Sequence, residues 1–313
     1  MRISFILQTY RSLEQIGRLV DTLNRGCPDS LIVITHSGPR DGFAQLTREH
    51  QVAHVLPAVP GRGRFALIDS YLSALRWLRR QNTPYDWIVL LSEQDYPIRP
   101  LGEFSATLEH SAFDGYFYFF DPSDKRAASS GPMVWPPREW EDRYLFRYGL
   151  LKNDLSTIER ALLRLPRKVL GLTRNHRLHT SFGLGLGRRA DATPFSPGFR
   201  LHAGSYWHVI RRECGEAVLD FVDENPDIVD YFRQVILPHE ALIPTILLNK
   251  KALRISPHDL RYFDFSNPHH GQSKTLGPAD LTPAFASQCY FARKFDMTLH
   301  PTIFDLLDSK VLG

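Results

Sequence analysis

Over the first 120 residues, short apolar runs alternate with stretches of helical period. Ile3 to Thr9 is a compact apolar run and predicts a first core strand. Ser12 to Leu23 places Leu13, Ile16, Leu19, Val20 and Leu23 at the three- and four-residue spacing of an amphipathic helix. Leu31 to Thr35 is a second β-rich run, and Ala53 to Leu56 a third, shorter one. Phe65 to Leu78 puts Leu67, Tyr71, Ala74, Leu75 and Leu78 on one helical face. Trp87 to Leu91 is a bounded apolar strand, Phe104 to His110 a helix, and Gly115 to Phe120 another strand. Strands alternating with helices predict an α/β unit with a mainly parallel sheet.

The pattern breaks from Asp121 to about Arg200, where proline, arginine, glycine and aromatic residues dominate, as in Trp135-Pro136-Pro137-Arg138-Glu139-Trp140. One helix is expected here, about Leu155 to Leu165, with Asp154 as its N-cap. Long loops in a compact chain are binding loops or lids in one reading and a tolerated surface insertion in the other, and the two stand level. Regular patterning resumes after Leu201. Cys214 to Glu224 and Glu240 to Asn249 read as helices, Ala252 to Ile255 as a strand, and Ile303 to Leu312 as a short helix. No repeat or Gly/Ser linker interrupts the 313 residues, so one domain spanning 1–313, with 121–200 as a loop-rich excursion, is the simplest organisation.

Composition narrows the function classes. A net charge of +4 spread over the chain gives no concentrated basic stripe for nucleic acid, yet leaves room for a local basic pocket. Three widely spaced cysteines, Cys27, Cys214 and Cys289, argue against a disulfide framework and for a reducing, cytoplasmic setting. No apolar run approaches membrane-spanning length, and the first strand is too short for a signal h-region; a peripheral membrane contact is compatible with this.

Several segments carry groups with chemistry. Ser92, Gln94 and Asp95 follow the Trp87 strand closely, where ligands bind in open α/β sheets. As residue types, Ser92, Asp95 and Pro97 are also turn formers, and on residues alone the turn is favoured. Glu240 follows Pro238 at a helix start. Its charge suits the helix dipole, and a carboxylate there also suits a general base. Pro244 inside that segment suggests a kink. In Phe291-Ala292-Arg293-Lys294-Phe295-Asp296, strand alternation would turn one cation inward and one outward; a phosphate clamp and a surface pair with Asp296 are the alternatives. Gly204-Ser205-Tyr206-Trp207 is either core or an aromatic platform for a sugar ring. Thirteen histidines, His258, His269, His270 and His300 among them, show no metal-ligand spacing. Asp121-Pro122-Ser123-Asp124 has the wrong spacing for Asp-x-Asp, and no GxGxxG or Walker motif occurs.

Six blocks in order resemble the core-2/I-branching N-acetylglucosaminyltransferase and peptide O-xylosyltransferase family: Leu90–Ile98, Gly204–Trp207, Leu237–Asn249, Leu260–Phe265, Ser273–Leu276 and Phe291–Asp296. The resemblance also takes in the N-terminal strand-helix-strand and the Phe65 helix, and leaves out Asp121 to Arg200. It implies a GT-A-like nucleotide-sugar fold, a UDP-sugar donor, a glycan or glycoconjugate acceptor, inversion at the anomeric carbon, and no metal or other cofactor. It implies Glu240 as the base and Lys294, with Lys274 as a second cation, at the donor diphosphate. Ser92, Gln94 and Asp95 would lie near the donor, with Arg293 close by. Gly204, Tyr206 and Trp207 are the aromatic-platform candidates for the acceptor. The chain departs from the family at His36-Ser37-Gly38-Pro39-Arg40, where an acidic nucleotide contact is usual, and at Gly61-Arg62-Gly63-Arg64, where Trp-Gly is usual. The expected activity is therefore transfer of a sugar, GlcNAc or xylose, to a hydroxyl. The alternatives are a carbohydrate- or nucleotide-binding protein without turnover and a metal-dependent transferase using Asp121, Asp124 or histidines.

Overall fold

The structure is a computed structural model that describes all residues except 40, 62, 82, 130–134, 137 and 267–272. Its centre is a seven-stranded sheet of mixed direction, parallel through most of its width. The first four strands, β1 (Ile3–Thr9), β2 (Leu31–His36), β3 (His54–Pro57) and β4 (Trp87–Ser92), run parallel in the order β4-β1-β2-β3. After β5 (Asp95–Pro97) the chain adds β6 (Gly115–Tyr116) and β7 (Phe119–Phe120), so the single strand expected over Gly115–Phe120 is two. Tyr118 and Phe119 leave the central sheet, and β7 pairs with the later strand Ala203–Gly204 instead.

Alternation along the strands buries both faces. Phe5, Leu7, Val89 and Leu91 face one apolar cluster, while Ile6, Val33, Ile88 and Leu90 face the other. The helices Leu13–Gly26, Leu101–Glu109 and Pro301–Leu312 cover the first face. Ala66–Arg80, Arg212–Glu224 and Leu242–Leu248 cover the second. Ser12 caps the first helix through its hydroxyl, which accepts from the Gln15 N–H.

The middle segment holds more regular structure than its composition predicts. Three strands, β8 (Phe146–Lys152), β9 (His176–His179) and β10 (Leu184–Arg189), form an antiparallel sheet in the order β8-β10-β9. The expected helix at Leu155–Leu165 is two short ones, Thr157–Leu162 and Arg164–Gly171. The N-cap is Ser156, not Asp154, because Ser156 and Glu159 form a reciprocal capping box.

The remaining strands are β11 (Ala203–Gly204), β12 (Val209–Arg211), β13 (Ile255–Ser256), β14 (Arg261–Tyr262) and β15 (Phe291–Arg293). β12 enters the central sheet antiparallel, between β4 and β6, and β13 closes its edge. The helix expected from Glu240 to Asn249 starts later. Pro238–Glu240 is a 3-10 turn, and the α-helix spans Leu242–Leu248. Pro244 falls in its first turn, where a backbone N–H has no helical partner, so the expected kink is not needed. Among the described residues, no helix is long and apolar enough to cross a membrane.

Candidate functional site

A cavity of about 820 Å³ opens beyond the carboxyl ends of the parallel strands. Thr9 and Tyr10 at the end of β1, Thr35 and Ser37 at the end of β2, and Ser92 and Gln94 at the end of β4 reach its wall. This is the place where parallel α/β sheets bind ligands, because the strand ends diverge into a crevice there. The opposite contributions come from the middle segment and from the turn before Leu242. They include Glu139, Arg143, Arg177, His179, Phe182, His239 and Glu240.

Glu240 is placed by the tight turn after Leu237, whose φ of 51° lies in the left-handed region. Its Oε2 accepts a bond from Arg143 Nη1 at 2.5 Å. Arg143 Nε also donates to Glu139 Oε1 at 2.7 Å, and its guanidinium lies 4.3 Å from the centre of the Trp135 ring. One arginine thus ties two carboxylates to the cavity wall. Burial pushes the Glu240 carboxyl above its ordinary range, and the Arg143 charge pulls it back part of the way. A carboxyl raised in this way, yet still paired with a cation, is suited to taking a proton.

A second arginine cluster lies behind Ser92. β5, β14 and β15 form a small sheet in which Arg293 stands opposite Asp95. This sheet joins three blocks far apart in the chain: Leu90–Ile98, Leu260–Phe265 and Phe291–Asp296. Asp95 is fully buried, and its Oδ2 accepts from the Ser92 N–H at 2.8 Å and the Ser92 hydroxyl at 2.6 Å. Arg261 Nε lies 2.7 Å from Asp95 Oδ1, and Arg293 Nη1 lies 4.0 Å from Oδ2. The Arg293 guanidinium covers the Trp207 ring at 4.0 Å. Beside this cluster, Glu93 is 1% exposed, and burial pushes its carboxyl up to about 7.

The cavity thus gathers Ser92, Gln94, Tyr206, Trp207, Glu240, Arg293 and Lys294. Both cations of the Arg293-Lys294 pair line it, which corrects the expected alternation: β15 ends at Arg293, and strand geometry no longer governs Lys294. Three of the residues singled out in the sequence are not in the wall. Asp95 is sealed beneath it. Lys274 is half-exposed, with its ammonium on Asp280 at 2.7 Å, and only the neighbouring Ser273 reaches the cavity. Gly204 sits where a Cβ would come 2.1 Å from the Tyr118 carbonyl oxygen, so its role is to let β11 and β7 approach. Tyr206 is buried, and its hydroxyl donates to the Leu67 carbonyl at 3.0 Å, leaving the half-buried Trp207 as the more accessible ring.

Sequence reasoning missed Arg143, Glu139, Arg177 and His179. Glu139 and Arg143 sit on a short helix, Glu139–Tyr144, and Arg177 and His179 on β9, which shows no clear alternation; nothing in the local sequence ties Arg143 to Glu240, 97 residues later. His179 accepts the Phe182 N–H on Nε2 at 3.0 Å, and burial lowers it to about 4, so it stands neutral in the wall. His258 and His300 lie apart from the cavity wall, and Asp121 accepts from Ser123 in a local turn outside it. His269, His270, Arg40 and Arg62 lie outside the described residues. Among the described residues, no three His, Cys, Asp or Glu side chains gather as a metal-binding group.

Residues 174–289 match the family model for Branch: Core-2/I-Branching enzyme. That stretch contains four of the six resembling blocks and Glu240, and it ends before Lys294. No curated protein matches the chain. Among solved structures, it is similar to a cytidylyltransferase from Leptospira borgpetersenii, at 12% identity and a TM-score of 0.28, over 38% of this chain and 54% of that one. It is also similar to a 4-diphosphocytidyl-2C-methyl-D-erythritol synthase from Anaerococcus prevotii, at 8% identity and a TM-score of 0.34, over 91% of this chain and 94% of that one.

Proposed function

We propose that this chain, a core-2/I-branching enzyme relative by its match over residues 174–289, is an inverting glycosyltransferase using a UDP-sugar donor. The reading takes 1–313 as one catalytic domain of GT-A-like type, with 121–200 forming the acceptor side. The observation that carries it is Glu240: a carboxyl raised by burial, held by Arg143, on the wall of a large cavity at the ends of parallel strands.

In the proposed step, an acceptor hydroxyl attacks the anomeric carbon of the donor. Its proton passes to the Glu240 carboxylate as the new C–O bond forms. The bond from the anomeric carbon to the diphosphate oxygen breaks, and the UDP oxygen leaves with the electron pair. Lys294 stabilises the charge developing on the diphosphate, with Arg293 adding positive potential from below, as fixed cations can without a metal. Ser92 and Gln94 hold the donor, and Trp207 offers a ring face to a sugar. Lys274, engaged with Asp280, has the weaker case for a donor contact.

Purified protein incubated with UDP-GlcNAc, UDP-xylose and other UDP-sugars tests this reading. UDP release from at least one donor is expected, and it should persist in EDTA. UDP binding without release from any donor would favour a binding protein. Loss of release in EDTA with recovery in Mn²⁺ would overturn the metal-independent scheme.

A further inference from the structure

The helices Thr157–Leu162 and Arg164–Gly171 bury none of their residues, although a surface helix ordinarily hides an apolar stripe in the core. Their apolar side chains face outward instead. Ile158, Leu162, Leu165, Val169 and Leu172 are 73%, 72%, 70%, 54% and 83% exposed. Ile158 and Leu162 stand one turn apart on the first helix and Leu165 and Val169 one turn apart on the second, with Leu172 just past its end. Leu150, Leu151 and Leu186 of the adjoining sheet are also exposed, giving this segment most of the large apolar side chains in water among the described residues.

The charge around the stripe has one sign. Arg160, Arg164, Arg167, Lys168 and Arg174 lie between residues 157 and 174, where Glu159 is the one acid. Glu159 is itself taken up by Lys152 at 2.5 Å and by the Ser156 cap. An apolar stripe edged by unopposed cations is the pattern of a helix lying in the interface of an anionic bilayer: the stripe enters the acyl boundary and the cations meet headgroup phosphates. A two-fold contact between copies of the chain would set these cations against each other, which disfavours a second copy as the cover. Arg167 and Gly171, on the same helix, line the cavity, so docking on this face sets the cavity rim at the membrane surface.

We propose that residues 157–174 dock this chain onto an anionic lipid surface. This goes beyond the glycosyltransferase reading and stands or falls independently of it. Sedimentation with vesicles of phosphatidylcholine, with and without phosphatidylglycerol, tests it. The chain should pellet with the anionic vesicles, more weakly as salt rises, and about tenfold less with the neutral ones. Leu162→Glu combined with Val169→Glu should lower vesicle binding about tenfold or more. Its thermal midpoint should stay near that of wild type, since neither side chain is in the core; should that variant fail to fold, Leu172→Glu alone makes the same test. Arg160→Glu with Arg164→Glu should abolish the preference for anionic vesicles. The proposal fails if wild type ignores both vesicles, or if the apolar variants pellet as wild type does. It also fails if sedimentation equilibrium reveals a dimer that these variants disrupt while no vesicle is bound.

Discussion

Two arginine–carboxylate clusters lie on opposite sides of the same cavity wall, built from the same chemistry but differing in access to water. In the first, the side chains of Asp95, Arg261 and Arg293 are 0%, 0% and 8% exposed. In the second, those of Glu240, Arg143 and Glu139 are 20%, 14% and 33% exposed. The sealed cluster ties three chain segments together and holds Ser92 in place; its carboxylate has no path to a ligand. The open cluster presents its carboxylate to the cavity. A charge pair's partners therefore do not tell its role; what else can reach the carboxylate does. Exchanging the two carboxylates for amides separates these roles.

Glu240→Gln should give the largest effect. The change removes the proton acceptor while keeping the side chain's shape, and loss of a general base costs about 10²–10⁴ in rate. Transfer should fall by that factor while UDP affinity and the unfolding midpoint stay near wild type. Turnover close to wild type would leave Glu240 as a turn residue and end its assignment as the base.

Asp95→Asn should do the reverse. Removing one partner of a buried pair strands the other charges in a dry site, at a cost of about 3–5 kcal/mol. Denaturant unfolding should show that loss. A variant with wild-type stability and lost donor binding would mean that the sealed cluster is open to ligand after all, and the contrast between the two clusters would fall.

Glu93 sharpens the contrast by adding pH. Its carboxyl is pushed up to about 7 in the folded chain, against 4.5 ordinarily. The unfolded chain therefore releases this proton first as pH rises. Stability from the protonated group is full below about 4.5 and is lost as pH climbs through about 7. The shift corresponds to at most about 3 kcal/mol. Glu93→Gln should match wild type near pH 4.5 and exceed it in stability at pH 8. Equal unfolding midpoints across that range would show that the site is wetter than its burial implies.

How far the chain could be read from its sequence follows the same division. Strands β1, β2 and β4 and the helices Leu13–Gly26 and Ala66–Arg80 follow from period alone, since both faces of a parallel sheet demand apolar residues at regular intervals, whereas the short helix Phe43–Glu49 was not read. Glu240 and Lys294 were candidates by residue type, with a helix-start and a surface-pair alternative open, and the family resemblance alone favoured the site reading. Arg143 was not legible, because the contact that gives it meaning joins a loop-rich segment to a turn 97 residues on. The sheet β8-β10-β9 was hidden for a local reason. Gly149, Gly185 and Gly187 interrupt its alternation, and its exposed leucines break the rule that apolar residues point inward. The antiparallel entry of β12 was likewise set by distant pairing, with β4 on one side and β6 on the other.

Lys294→Ala gives the smallest expected effect, and it tests the boundary between the sealed cluster and the cavity at a single peptide link. Arg293 belongs to the sealed cluster, buried over Trp207, whereas Lys294 is half-buried in the cavity wall. If Lys294 meets the donor diphosphate, its removal takes away charge-assisted bonds, which are roughly twice as strong as neutral ones. UDP affinity should then fall about tenfold, a change of about 1.4 kcal/mol, with uridine affinity unchanged because uridine lacks the diphosphate. Arg293→Ala cannot serve as an inert control, since it uncovers Trp207 and removes one of the two cations beside Asp95. It should lower stability first and UDP affinity only as a consequence. Calorimetric titration of UDP and uridine into both variants, beside their unfolding curves, separates the two cases. Equal UDP binding by wild type and Lys294→Ala would remove Lys294 from the donor site. A stable Arg293→Ala protein that has lost UDP binding would move the boundary one residue back and make Arg293 the phosphate contact.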